Sequence, residues 1–175
     1  IMDDPAEGIV YWEQKLVPFR GGLLAVCWAH DLAAGRDLPV QFALSADART
    51  FTSPQPLHLH GQTTTPFPLD DERVLFVYRR GDQPGLWADV GRLEHGVWQR
   101  ETELPLWGTT ADPTPSESTR SVAEEMSALR FGLPAIVELE ELNGQRQVLI
   151  AFWCVEDCVA IIRWMRLAIP VALSS

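Results

Sequence analysis

Three apolar runs of one shape predict an all-β chain folded as three consecutive four-stranded blades of a β-propeller. The runs are residues 23–28, 74–79 and 148–153. A tight-turn signal precedes each: Arg20-Gly21-Gly22, Asp70-Asp71-Glu72-Arg73 and Asn143-Gly144-Gln145. An acid-bearing polar stretch follows each: Ala29-His30-Asp31, Arg80-Gly81-Asp82 and Val155-Glu156-Asp157. Leu24 and Leu75 lie 51 positions apart, and Leu75 and Leu149 lie 74 apart. Self-similarity on this scale signals a repeat architecture, and near-continuous apolar runs read as strands covered on both faces.

The elements follow in order. Blade one, residues 8–58, takes strands at 9–19, 23–28, 39–45 and 55–58. Blade two, residues 59–107, takes them at 62–69, 74–79, 85–91 and 97–100. Blade three, residues 122–175, takes them at 131–139, 148–153, 158–167 and 168–173. Each segment is short, rich in β-branched and aromatic residues, and bounded by Gly, Pro, Asn or Asp. Residues 108–121 are dense in Pro, Ser and Thr with no apolar face, and read as a linker or loop. It accounts for most of the longer second spacing. Residues 122–129 read as one short helix. A β-sandwich or barrel made from the same hairpins is the competing architecture; the threefold similarity favours the propeller.

Composition removes several functional classes. The formal net charge is −10, with 14 Lys and Arg against 24 Asp and Glu. The basic residues are scattered, which argues against nucleic acid and anionic membrane as partners. No apolar run reaches the ~18–20 residues of a membrane span. Residues 1–8 carry neither a basic nor an apolar signal region, so a cytoplasmic location is expected. Three cysteines, Cys27, Cys154 and Cys158, fit no disulfide framework and too few zinc ligands. His30, His58 and His60 with Asp31 complete no recognised metal spacing. No cofactor is expected.

Ser45-Ala46-Asp47-Ala48-Arg49-Thr50-Phe51 resembles the Asp-box turn of sialidase-like (BNR-repeat) propellers. Arg49 stands where that pattern has glycine, and one residue is missing before the aromatic. The stretch falls between the third and fourth strands of blade one, where that family carries its box. Residues 59–63 and 74–80, Tyr11-Trp12-Glu13-Gln14 and Arg130-Phe131-Gly132-Leu133-Pro134 are also similar to members of that superfamily. The resemblance implies a carboxylate that caps a turn and an aromatic that packs between sheets. It implies glycan binding or glycoside hydrolysis more weakly, because a fold does not fix an activity.

In a four-stranded meander the loops from strand two to three and the approaches to strand one share one rim. That rim collects the suggestive residues, among them Arg36 and Asp37. Carboxylates suited to glycoside chemistry are Glu13, Asp31, Glu156 and Asp157, with Tyr11 beside Glu13. Tyr11 and Glu13 are two apart and are expected on one side of a strand. Trp12, His30, His60, Gln62, Arg79, Arg80, Asp82 and Arg130 are the candidate ligand contacts, the arginines as a carboxylate clamp. The motif by which sialidases mark their first arginine is missing. Trp28 and Trp153 are expected in the core. The partner expected is a glycan or another small polar ligand. Three blades form half a six-bladed ring with apolar outer faces, so a homodimer is expected. The competing function is a catalytically silent half-propeller that serves assembly alone.

Overall fold

The computed structural model describes residues 8–80, 82–108 and 130–169. They form twelve strands in three antiparallel sheets, with no helix among the described residues. Sheet 1 holds β1 (Ile9–Phe19), β2 (Gly22–Asp31), β4 (Gln41–Ser45) and β5 (Gln55–Pro56) in that order, with β3 (Arg36–Asp37) paired to the end of β2. Sheet 2 is a plain meander of β6 (Gly61–Pro68), β7 (Arg73–Arg80), β8 (Leu86–Glu94) and β9 (Val97–Trp107). Sheet 3 is β10 (Phe131–Leu142), β11 (Gln145–Glu156) and β12 (Val159–Ile169).

Tight turns set the hairpins. Arg20-Gly21, His95-Gly96, Asn143-Gly144 and Asp157-Cys158 all have positive φ at both positions. That geometry matches the right-handed twist of the flanking strands. Gly22 is needed beside the first turn, because a Cβ there would meet the Ser45 carbonyl oxygen at 2.0 Å. In the β6–β7 turn, Asp70 Oδ1 accepts from the backbone N–H groups of Glu72 (2.8 Å) and Arg73 (2.7 Å).

The sheets stack face to face with sheet 2 in the middle. Alternation along β7 supplies both of its faces. Val74, Phe76 and Tyr78 pack on Leu24, Val26 and Phe42 of sheet 1. Leu75 and Val77 pack on Val148, Ile150 and Phe152 of sheet 3. All these side chains are buried.

Several expectations need correction. Ala168 and Ile169 continue β12 and do not begin a fourth strand; residues 170–173 of that expected strand lie outside the described residues. The expected helix at 122–129 lies outside them too, as does the linker from 109 to 121. The two-residue β3 went unread, since Arg36-Asp37 carries no apolar alternation. Trp28 is buried as expected, whereas Trp153 is only half-buried, because its register puts it on the outer side of sheet 3.

Candidate functional site

The first strands of the three sheets, β1, β6 and β10, run beside one another along one side of the stack. Each is interrupted at the same register. The pairing slips between Trp12 and Lys15, between Gln62 and Thr65, and between Gly132 and Ala135. Glu13, Thr63 and Leu133 occupy the bulges with φ of 51°, 52° and 48°. Positive φ is uncommon for non-glycine residues and an outlier for a β-branched one such as Thr63. Bulges of this kind re-aim side chains and recur next to functional sites.

The bulge overturns one sequence expectation. Alternation would carry Tyr11 and Glu13 to the same face, but the left-handed residue at 13 breaks the alternation. Tyr11 packs instead on the outer face of sheet 1, against Ala25, Cys27 and Ala43.

Immediately past the bulges the three strands are tied together. Lys15 Nζ donates to Thr65 Oγ1, which donates to the Pro134 carbonyl at 2.6 Å. Burial lowers the Lys15 pKa, and the nearby Glu13 charge partly restores it. At the bulges themselves four polar atoms are buried without a hydrogen-bond partner among the described residues: Glu13 Oε2, Thr63 Oγ1, Thr64 Oγ1 and Trp28 Nε1. Thr63 and Thr64 are each only 3% exposed. A Cβ built on Gly132 would sit 3.6 Å from Thr63 Cγ2, so Thr63 lies against the sheet 3 strand. Buried polar groups normally have partners, and each exception asks for one.

Between this layer and the loop rim lies a polar and aromatic cluster. Trp12 meets Trp28 edge-on at 4.6 Å and stacks on His30 at 5.2 Å. His30 Nδ1 is 2.7 Å from Asp37 Oδ1, and Gln62 Nε2 donates to Asp37 Oδ2 at 2.5 Å, linking sheet 1 to sheet 2. Asp37, which the sequence placed on this rim without a catalytic or ligand role, is thus a junction residue.

The remaining candidates are occupied close to home. Asp31 Oδ1 caps the backbone N–H groups of Ala33 and Ala34, both at 2.9 Å. Arg80 grips Asp82 with two nitrogens, reaches Glu103 Oε2 at 2.7 Å, and lies over the Trp87 ring. Hydrogen bonding to Arg80 holds the Asp82 carboxyl below the usual carboxylate range. Glu156 is paired by Arg163 and is likewise held low. His60 is exposed, on the approach to β6. Gln62 and Arg79 face each other across β6 and β7. Arg130 is exposed at the start of β10, its carbonyl accepting from Val155 N–H at 2.7 Å. Asp157 is an exposed turn residue of the β11–β12 hairpin. No group of three or more His, Cys, Asp or Glu side chains among the described residues is arranged to hold a metal.

Sequence reasoning missed a charged set inside sheet 2. Asp89 is fully buried, takes a hydrogen bond from Trp98 Nε1 at 3.3 Å and pairs with Arg100. Glu103 accepts from the Tyr78 hydroxyl at 2.5 Å and pairs with Arg100 as well as Arg80. Burial raises the Asp89 carboxyl to about 6, against the pull of Arg100. The available signal was an acid inside the apolar stretch Leu86-Trp87-Ala88-Asp89-Val90.

On the opposite rim, an open depression of about 270 Å³ lies between the β1–β2 and β6–β7 turns, lined by Phe19, Arg20, Leu69 and Asp70 among others. Arg20 spans it, donating to the Asp71 carbonyl at 2.6 Å and to the Leu93 carbonyl. Its groups are already engaged with each other.

In the Ser45–Phe51 turn, Asp47 Oδ1 accepts from the backbone N–H groups of Arg49 (2.9 Å) and Thr50 (2.8 Å) and from Ser45 Oγ (3.1 Å). Its Oδ2 accepts from Thr50 Oγ1 at 2.9 Å. These bonds depress the Asp47 carboxyl strongly. Phe51 packs on Ala25, Cys27 and Ala43.

Fold and site together define an all-β protein of stacked antiparallel sheets with a bulged polar layer along its first strands. No family model matches the chain, and no curated protein matches it.

Proposed function

We propose that the chain is a three-bladed, sialidase-like propeller module whose loop rim binds a small polyhydroxylated ligand, a glycan, at the bulge layer. The carrying observation is the set of unpartnered buried atoms there, Thr63 Oγ1, Thr64 Oγ1, Glu13 Oε2 and Trp28 Nε1. Two hydroxyls, a carboxylate oxygen and an indole N–H together offer donors and acceptors. Sugar hydroxyls need both at once. The Asp47 turn and the Phe51 packing support the family reading, and the threefold bulge supports a repeated blade.

Binding is favoured over hydrolysis. Glycoside hydrolysis needs one carboxylic acid that keeps its proton and a second carboxylate at a defined distance. Asp82 and Glu156 are held low by their arginines, and Asp31 is committed to its turn. None of the three is a suitable general acid.

The test is calorimetric titration with a panel of neutral and acidic mono- and disaccharides. Wild type is expected to bind at least one member. Thr64→Val keeps the shape and removes the hydroxyl, and it should weaken that binding about tenfold, the worth of one hydrogen bond near 1.4 kcal/mol. Silence across the panel, or binding indifferent to Thr64→Val, rejects the reading.

A further inference from the structure

We infer that Lys15 is a covalent capture point in the bulge layer: its side-chain amine condenses with an aldehyde, which in a glycan is the open-chain form of the reducing end. The identity of the aldehyde rests on the glycan reading of this layer; the reactivity of the amine does not. Lys15 is the single lysine among the 14 Lys and Arg residues of the chain. Lysine is ordinarily a solvated surface residue. Here it is half-buried, at the position where the β1 pairing resumes after the bulge. Its Nζ donates to Thr65 Oγ1, whose own proton goes to the Pro134 carbonyl. The threonine oxygen therefore turns a lone pair to the amine and holds it in place without supplying charge. Among the described residues no acid forms an ion pair with Lys15. Burial is the larger influence on it and favours the neutral amine, the nucleophilic form. Arginine keeps its charge and cannot take this role.

The surroundings supply the rest of the chemistry. Glu13, two residues back, stands close enough for its charge to act on Lys15, and its Oε2 is buried with no hydrogen-bond partner among the described residues. Thr63 and Thr64, whose Oγ1 atoms are equally partnerless, are 3% exposed, whereas Lys15 and Glu13 are half-buried, so the layer is reached from their side. The neutral Nζ lone pair attacks the aldehyde carbon: a C–N bond forms and the carbonyl electron pair moves onto oxygen. Glu13 carries one Nζ proton to that oxygen and then the second to the hydroxyl so formed, which leaves as water. Amine and aldehyde thus become imine and water, with no oxidant or reductant. The Thr63 and Thr64 hydroxyls are left to bond the hydroxyls of the captured sugar.

Glycolaldehyde with sodium cyanoborohydride, which reduces an imine to a stable amine, tests this on the whole chain. Peptide mass mapping separates an adduct on Lys15 from one on the terminal α-amine. Lys15 should label about tenfold faster in the folded chain at neutral pH than in the guanidinium-unfolded chain, because burial and a fixed geometry favour attack. Labelling that is equal or slower in the folded chain overturns the inference, since a merely sheltered lysine behaves so. Glu13→Gln, with an unchanged circular dichroism spectrum, should slow labelling about tenfold by removing the proton carrier. Were Glu13 only a nearby charge, that variant would leave the amine less often protonated and labelling would quicken; this result overturns the role given to Glu13. Calorimetric binding of reducing saccharides without labelling of Lys15 overturns the capture and leaves glycan binding standing. Labelling of Lys15 by glycolaldehyde with a silent saccharide panel upholds the reactive amine and rejects the glycan reading.

Discussion

The first three strands of sheet 2 and the three strands of sheet 3 form the same antiparallel meander, yet they bury their side chains to very different extents. Leu75 in β7 is fully buried, while its register equivalent in β11, Leu149, is half-buried. The strands β7 and β11 are equally apolar to read. The difference arises from the stack: among the described residues sheet 2 has a neighbouring sheet on each face, and sheet 3 has one on a single face. A both-faces-buried pattern in a sequence therefore reports a strand's repertoire, and its position in the stack decides what is realised.

The largest expected effect breaks this comparison if it fails. Leu75→Ala should cost about 2–5 kcal/mol, from lost transfer energy and a cavity between sheets 2 and 3. Leu149→Ala should cost under ~1 kcal/mol because less surface is withdrawn from water. Urea midpoints of the two variants measure the gap. Equal losses would mean that the two sheets are equally enclosed.

A pH experiment sharpens the comparison through the charges. Asp89 lies in the core of sheet 2 with its carboxyl raised by burial to about 6, against an ordinary value of 3.8. Between those values the folded chain holds the proton more tightly than the unfolded one. The stability Asp89 contributes is full below about 3.8 and is lost as pH rises through about 6. Asp89→Asn escapes that loss, so its urea midpoint should gain on wild type between pH 4 and pH 7. Glu156 on sheet 3 has the opposite sign: Arg163 holds it low, so its contribution is present above its ordinary value of 4.5 and fades on acidification. A gap between wild type and Asp89→Asn that is constant with pH would contradict the buried charge.

Smaller effects belong to the backbone. Leu133 is more than half exposed in a left-handed conformation. Leu133→Gly should therefore raise stability by about 1 kcal/mol, since glycine adopts that conformation without the steric cost. A loss would mean the side chain is held by contacts that outweigh the strain. Asp47→Ala, which removes the cap from an exposed turn, should lower the melting temperature only slightly, as read by circular dichroism.

Much of this fold was legible because it is local. The strand at 9–19 and the turns at Arg20-Gly21 and Asn143-Gly144 follow from apolar patterning and turn chemistry, and the structure agrees. The bulges were not legible. Their left-handed residues are Glu13, Thr63 and Leu133, which share no side-chain chemistry and are poor candidates for positive φ. What sets them is the slip common to three neighbouring strands, a tertiary fact. The candidate site divides in the same way. Trp12, Glu13, His30 and Gln62 were named from the sequence and do gather near the bulges. Asp37 in its hydrogen-bonded junction, and Thr63 and Thr64 as partnerless hydroxyls, depend on contacts between sheets. Asp89 stands out in the sequence as an acid inside an apolar stretch, but its place beside Glu103 depends on the pairing of β8 and β9.

Hydrogen exchange followed by mass spectrometry, with and without the saccharide panel, tests the central claim most directly: that a polar ligand binds where the first strands bulge. The account predicts that a binding saccharide slows exchange in peptides covering Trp12–Lys15, Gln62–Thr65 and Gly132–Ala135. Protection confined to the opposite rim, at Arg20-Gly21 and Asp70-Asp71, would contradict it.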